Sequence, residues 1–123
     1  MMDDINTIYY NEFGIAFQWK RGFAKDFKRV QMVFRNTGLF LSPVELIQFS
    51  ENINESLNRP HLCKDCKNNE SCKSLLLETP IPQISFSMSY IELNNMQDLV
   101  RGTLFQLGLD NMLGEFMIDN SGL

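Results

Sequence analysis

The boundary at Ser42 constrains the fold of this chain more than any other local signal. Ser42 suits the residue that caps a helix N-terminus, Pro43 suits the first helical position, and Glu45 completes a capping box. Leu41 and Leu46 add a hydrophobic staple across the same boundary. We therefore predict that a helix begins here and that the chain before it has a different structure.

The predicted helix continues to about residue 58. Four apolar residues recur in it at spacings of three and four, which is the pattern of one buried stripe: Leu46, Phe49, Ile53 and Leu57. Arg59 precedes Pro60, and proline disfavours helical backbone at the residue before it. The helix is therefore predicted to end there.

The chain before Ser42 alternates between apolar and polar residues, as half-buried strands do. Four short strands are predicted, over residues 5–10, 15–20, 30–35 and 39–41. Asn and Gly between them favour tight turns, so the strands should form an antiparallel meander.

The second half of the chain repeats the pattern of strand and helix. Residues 71–78 are predicted to add a short helical turn through Leu75, Leu76 and Leu77. Residues 84–92 are predicted to form a strand with serines on one face. Asn94 or Asn95 is predicted to cap a second helix that ends at Gly108.

These elements predict an α+β fold with segregated layers. It comprises an antiparallel β-sheet of four N-terminal strands plus one later strand, two main helices on one face, and a Cys-rich loop at residues 60–75. A length of 123 residues with 44% hydrophobic residues suits a single domain over residues 1–123. No apolar run approaches the roughly 20 residues that span a bilayer, and the acidic N-terminus has no apolar segment of a secretion signal. The expected location is the cytoplasm, where thiols stay reduced.

The residues between His61 and Cys72 contain all three cysteines and the single histidine of the chain. Cys63 and Cys66 are separated by two residues, a spacing at which both thiolates reach one ion. Cys72 is a third candidate ligand and His61 a fourth, which matches a closed Cys₃His zinc site in composition. We predict zinc as the cofactor, with His61, Cys63, Cys66 and Cys72 as the metal ligands.

Two other interpretations of this loop remain open. Cys63 and Cys66 form a CxxC pair that could act as a redox dithiol, although thioredoxin-like proteins place that pair after a strand and here it follows a helix. The three cysteines could also be inert reduced thiols. A catalytic zinc would keep an open coordination position, and four ligands from one loop leave none, so an enzyme is the weaker interpretation.

Residues 20–29, from Lys20 to Arg29, hold five basic residues and one acid in a chain of net charge −4. Interleaved cations and phenylalanines are typical of single-strand nucleic-acid surfaces, but the acidic chain around them favours a solvated loop. The tail from Met112 to Ile118 is apolar enough to require packing, either within the chain or in a homodimer contact.

The run from Val33 to Ser42, followed by a capped helix, resembles a pattern in small bacterial domains of unknown function. That resemblance implies a strand–turn–strand–helix unit and no activity. The expected function is therefore a small non-enzymatic module that binds a protein partner and whose loop is stapled by structural zinc. The alternatives are a thiol-based redox or metal-sensing protein and, with less support, nucleic-acid binding through residues 20–29. No membrane partner is expected.

Overall fold

The computed structural model describes residues 5–20, 29–58 and 75–108, and the predicted α+β class is confirmed in them. The elements are, in chain order, β1 (Ile5–Tyr10), β2 (Gly14–Trp19), β3 (Val30–Phe34), β4 (Thr37–Leu41), α1 (Pro43–Asn58), β5 (Leu75–Glu78), β6 (Ser85–Met88) and α2 (Tyr90–Gln106).

The first four strands form one antiparallel sheet in the order β1-β2-β3-β4, as the alternating pattern predicts. The β1–β2 turn is closed by Asn11, whose side-chain oxygen accepts hydrogen bonds from the backbone N–H groups of Phe13 (2.9 Å) and Gly14 (3.1 Å). A Cβ atom at Gly14 would lie 2.5 Å from the Val33 carbonyl oxygen, so this turn requires glycine.

The later strand, β6, pairs with β5 in a separate two-stranded sheet and does not join the four-stranded one. The helical turn predicted through Leu75, Leu76 and Leu77 is wrong, because Leu75–Glu78 is a strand. Residues 71–74 of that prediction lie outside the described residues. Leu75 and Leu77 are buried while Leu76 is exposed, which is the period of a strand with one face on the core. Three successive leucines carry no periodicity of their own, so the pairing with β6 decides the structure here.

Both helices begin with the same Ser-x-x-Glu capping box. Before α1, the Ser42 N–H donates to Glu45 Oε1 (2.8 Å) and the Glu45 N–H donates to Ser42 Oγ (3.2 Å), which confirms the predicted cap. Ser89 and Glu92 make the equivalent pair of hydrogen bonds before α2, at 3.0 and 3.1 Å.

The start of α2 therefore lies earlier than predicted. Asn94 and Asn95 are inside the helix, and the strand predicted to reach residue 92 ends at Met88. The end of α2 agrees with the prediction, since Gly108 follows the C-cap residue Leu107 with a left-handed φ of 73°.

One hydrophobic core joins the two sheets and the two helices. The helix α2 contacts β1 and β2, α1 contacts β4, and the β5–β6 hairpin packs on both helices. The largest fully buried side chains of the core are Phe34, Phe49, Met32, Leu41, Leu46, Ile53, Leu77, Met88, Leu93, Met96, Leu99 and Leu104. Neither described helix is long and apolar enough to cross a membrane.

Candidate functional site

The predicted zinc ligands His61, Cys63, Cys66 and Cys72 lie outside the described residues. The same holds for residues 21–28 of the basic segment and for the apolar tail from Met112 to Ile118. Within residues 5–20, 29–58 and 75–108, no group of three or more His, Cys, Asp or Glu side chains could hold a metal ion. The zinc site therefore stays a prediction.

The structure describes the elements on either side of the predicted Cys-rich loop (the Cys/His loop), namely α1 and β5. The buried Ser56 hydroxyl donates to the carbonyl oxygen of Leu76 (2.8 Å), and the Asn52 side-chain amide donates to that of Glu78 (3.0 Å). Asn52 and Ser56 are four helical residues apart, an advance of about 6 Å, and Leu76 and Glu78 are two strand residues apart, about 6.6 Å. Because these distances nearly match, α1 and β5 can run antiparallel and form both hydrogen bonds.

This pairing holds the last turns of α1 against β5. Leu75 and Leu77 lie in the core beside α1, which fixes the strand side of the loop base. A segment that joins α1 to β5 therefore has its two attachment points already close together, which reduces the entropy cost of closing a loop between them.

A second candidate surface is the side of the four-stranded sheet that faces away from the helices, which we call the outer face. Side chains of directly paired residues share a face, and the pairs Ala16–Met32 and Met32–Leu39 lie on the core. The alternate residues therefore form the outer face: Ile5, Thr7, Tyr10, Ile15, Phe17, Trp19, Gln31, Val33, Gly38 and Phe40.

The outer face is apolar although much of it is accessible to solvent. Tyr10 is 70% exposed, Trp19 45%, Phe40 42% and Val33 37%. Phe17 is buried without belonging to the core cluster, and its ring packs edge-on against Trp19 with the centroids 5.1 Å apart. The sequence signal for this face was an apolar residue on both sides of a strand, as in Met32-Val33-Phe34 and Leu39-Phe40-Leu41.

Gln31 organises the centre of the outer face. Its side-chain oxygen accepts a hydrogen bond from the indole N–H of Trp19 (3.4 Å), and its side-chain N–H donates to the carbonyl oxygen of Leu39 (3.3 Å). The polar groups at the middle of the face are thus hydrogen-bonded within the sheet, and the indole has a defined orientation.

A polar cluster on the other side of the sheet ties β1 to α2. The Tyr9 hydroxyl donates to both carboxylate oxygens of Asp98 (3.0 and 3.1 Å), and the Asn11 side-chain amide donates to Asp98 Oδ2 (2.8 Å) and to the Asn95 carbonyl (3.0 Å). The hydrogen bond to Asp98 raises the pKa of Tyr9 above its ordinary value of 10.0, with a smaller contribution from burial. These hydrogen bonds hold β1 against the first half of α2.

Arg29, at the end of the basic segment, contacts residues of α1 and β4. Its guanidinium forms an ion pair with Glu45 (3.3 Å) and lies over the Phe40 ring, 5.8 Å from the centroid. Arg35 likewise pairs with Glu92 (2.7 Å). The two arginines that flank β3 thus each form an ion pair with the capping glutamate of one helix.

Comparison with known proteins finds no match to this chain among protein-family models, curated protein sequences or solved structures.

Proposed function

We propose that this chain is a non-enzymatic protein-binding module whose Cys/His loop is stapled by a structural zinc ion. His61, Cys63, Cys66 and Cys72 supply the ligands, and the metal holds the loop in one conformation for a protein partner. The observation that carries the proposal is the hydrogen-bonded loop base between Ser56 and Leu76.

A fixed base favours metal binding by a loop of this length. Four ligands within twelve residues must converge on one point, and convergence costs less entropy when the flanking chain is already closed. Thiolates and an imidazole nitrogen are the ligands that zinc prefers in structural sites. Lys64 and Lys67 lie between the cysteines in sequence and favour thiolate over thiol.

A structural role is favoured over a catalytic one because four protein ligands complete a tetrahedral zinc ion. No water or substrate position is left on such a metal.

The metal is tested on protein purified under reducing conditions with zinc supplied. Native mass spectrometry should show one zinc ion per chain, which is lost in Cys63→Ser and in Cys72→Ser. Ser71→Ala is the matched control, because it removes one side-chain heteroatom beside Cys72 and leaves every proposed ligand in place.

Two outcomes would contradict the proposal. If the reduced protein binds no zinc, then zinc does not hold the loop in one conformation. A reversible disulfide between Cys63 and Cys66, formed in place of metal binding, would support the redox alternative.

Partner binding is tested with the same variants. Affinity capture from a cell extract should recover a protein with the parent chain and with Ser71→Ala, and lose it with Cys72→Ser. A protein recovered equally by all three would show that the loop is not the binding element.

A further inference from the structure

The outer face has one exposed large apolar side chain on each of its four strands: Tyr10, Trp19, Val33 and Phe40. The pairing registers place its residues in cross-strand rows, Tyr10–Ile15–Val33–Gly38 at one end and Thr7–Phe17–Gln31–Phe40 in the middle. Trp19 is paired with Ile5 at the other end. The described helices pack on the opposite side of the sheet.

The exposed area of this face suits one standard protein interface. With roughly 200 Å² per aromatic side chain, Tyr10, Trp19 and Phe40 together leave about 300 Å² of aromatic surface accessible. A standard interface covers about 800 Å² on each partner, of which somewhat more than half is apolar. The aromatic side chains, with the aliphatic ones beside them, therefore supply most of the apolar area that such an interface needs.

The charge of the outer face indicates which kind of molecule it can bind. None of the residues that define it is charged, although 21% of the chain is Asp, Glu, Lys or Arg. Nucleic acids, acidic peptides and anionic membranes are bound through several Lys and Arg side chains. Among the described residues, the Arg29 guanidinium lies over the Phe40 ring of this face, but it forms an ion pair with Glu45. A second copy of the chain meets an uncharged face with an equally uncharged one, so the net charge of −4 causes no close repulsion there.

We propose that the outer face is the interface of a homodimer. Two copies related by a two-fold axis pack sheet against sheet, so that each contact between two residues occurs twice. The orientation of Trp19, set by Gln31 and Phe17, is already present in the single chain and lowers the entropy cost of binding. This proposal does not depend on zinc binding.

The test introduces a charge into the outer face and, as a matched control, outside it. Val33→Glu places a carboxylate in the face, where dimer formation would remove it from water without an opposite charge in that face. Val44→Glu makes the same change at a valine of the first turn of α1 that is 75% exposed. Sedimentation equilibrium of the full chain should show a monomer–dimer equilibrium that Val33→Glu weakens at least about tenfold and Val44→Glu leaves unchanged.

Trp19 gives an independent readout, because it is the single tryptophan of the chain and lies in the outer face. Its emission should shift to shorter wavelength with increasing protein concentration, in parallel with the dimer fraction. Tyr10→Glu is a second charged variant at a side chain exposed enough for folding not to depend on it, and it should also weaken the dimer.

Each alternative occupant has its own signature, and each would overturn the proposal. A monomer with short-wavelength emission at every concentration would show that another segment of the chain covers the face. A monomer whose emission is quenched by oligothymidine would put a nucleic acid there. A dimer that Val33→Glu and Val44→Glu weaken equally would lie elsewhere on the surface.

Discussion

Gly102 in α2 provides a test of how the helix packs on β1. Gly102→Ala should destabilise the parent chain but stabilise a variant that lacks the Tyr9 ring. A Cβ atom at Gly102 would lie 2.4 Å from two carbon atoms of the Tyr9 ring. The ring cannot move aside freely, since its hydroxyl is hydrogen-bonded to Asp98. Gly102→Ala must therefore displace the ring from Asp98 or push α2 away from the sheet.

Two effects of known size oppose each other in Gly102→Ala. Replacing glycine by alanine inside a helix stabilises it by about 1 kcal/mol, whereas forcing an extra methyl group into a packed contact costs about 1–3 kcal/mol. A separation far below any normal Cβ contact places the cost at the upper end. We expect Gly102→Ala to lower the free energy of unfolding by about 1–2 kcal/mol in the parent chain.

Removing the Tyr9 ring should reverse the effect of Gly102→Ala on the free energy of unfolding. In a Tyr9→Ala background the methyl group has space, so Gly102→Ala should raise the free energy of unfolding by about 0.5–1 kcal/mol. The measurement is urea unfolding of the four proteins of this double-mutant cycle. Gly38→Ala serves as the control, since a Cβ atom there would lie near the Gln31 amide and not near Tyr9, so its effect should be the same in both backgrounds. The same stabilisation by Gly102→Ala with and without the Tyr9 ring would refute the packing of Tyr9 on α2.

The remaining predictions concern the helix caps, pH, the metal and the basic segment. Ser42→Ala and Ser89→Ala should each lower the free energy of unfolding by about 1 kcal/mol in urea titrations, and a neutral result would mean that the capping boxes do not form in solution. The raised pKa of Tyr9 means that its contribution to stability is present below pH 10.0 and is lost as the pH rises above that value, so the stability difference between the parent and Tyr9→Phe should shrink above pH 10.0. A constant difference would contradict this. A zinc chelator should increase hydrogen exchange in residues 60–75 and leave both sheets protected, whereas global unfolding would show that the metal is required for the fold. Neutralising the five basic residues of the segment from Lys20 to Arg29 should leave binding to RNA and single-stranded DNA unchanged, and tight, salt-sensitive binding that vanishes in the variant would overturn the solvated-loop interpretation.

Signals that act over a few residues could be interpreted correctly from the sequence. The Ser42 capping box, the apolar stripe of α1 and the glycine after α2 all depend on contacts within one or two turns, so the order of residues is sufficient. The Ser-x-x-Glu signal was also present at Ser89, but it overlaps the alternating pattern of β6, which extended the predicted strand past the cap.

The tertiary structure decided what depends on contacts between distant residues. Leu75–Glu78 became a strand because β6 offers it backbone partners, and the alternation in β2 did not say which side would meet the helices. The small Ala16 faces the core, while Ile15, Phe17 and Trp19 lie on the outer face. Period-two patterning determines that residues share a face, but only the packing of the helices determines which face is buried.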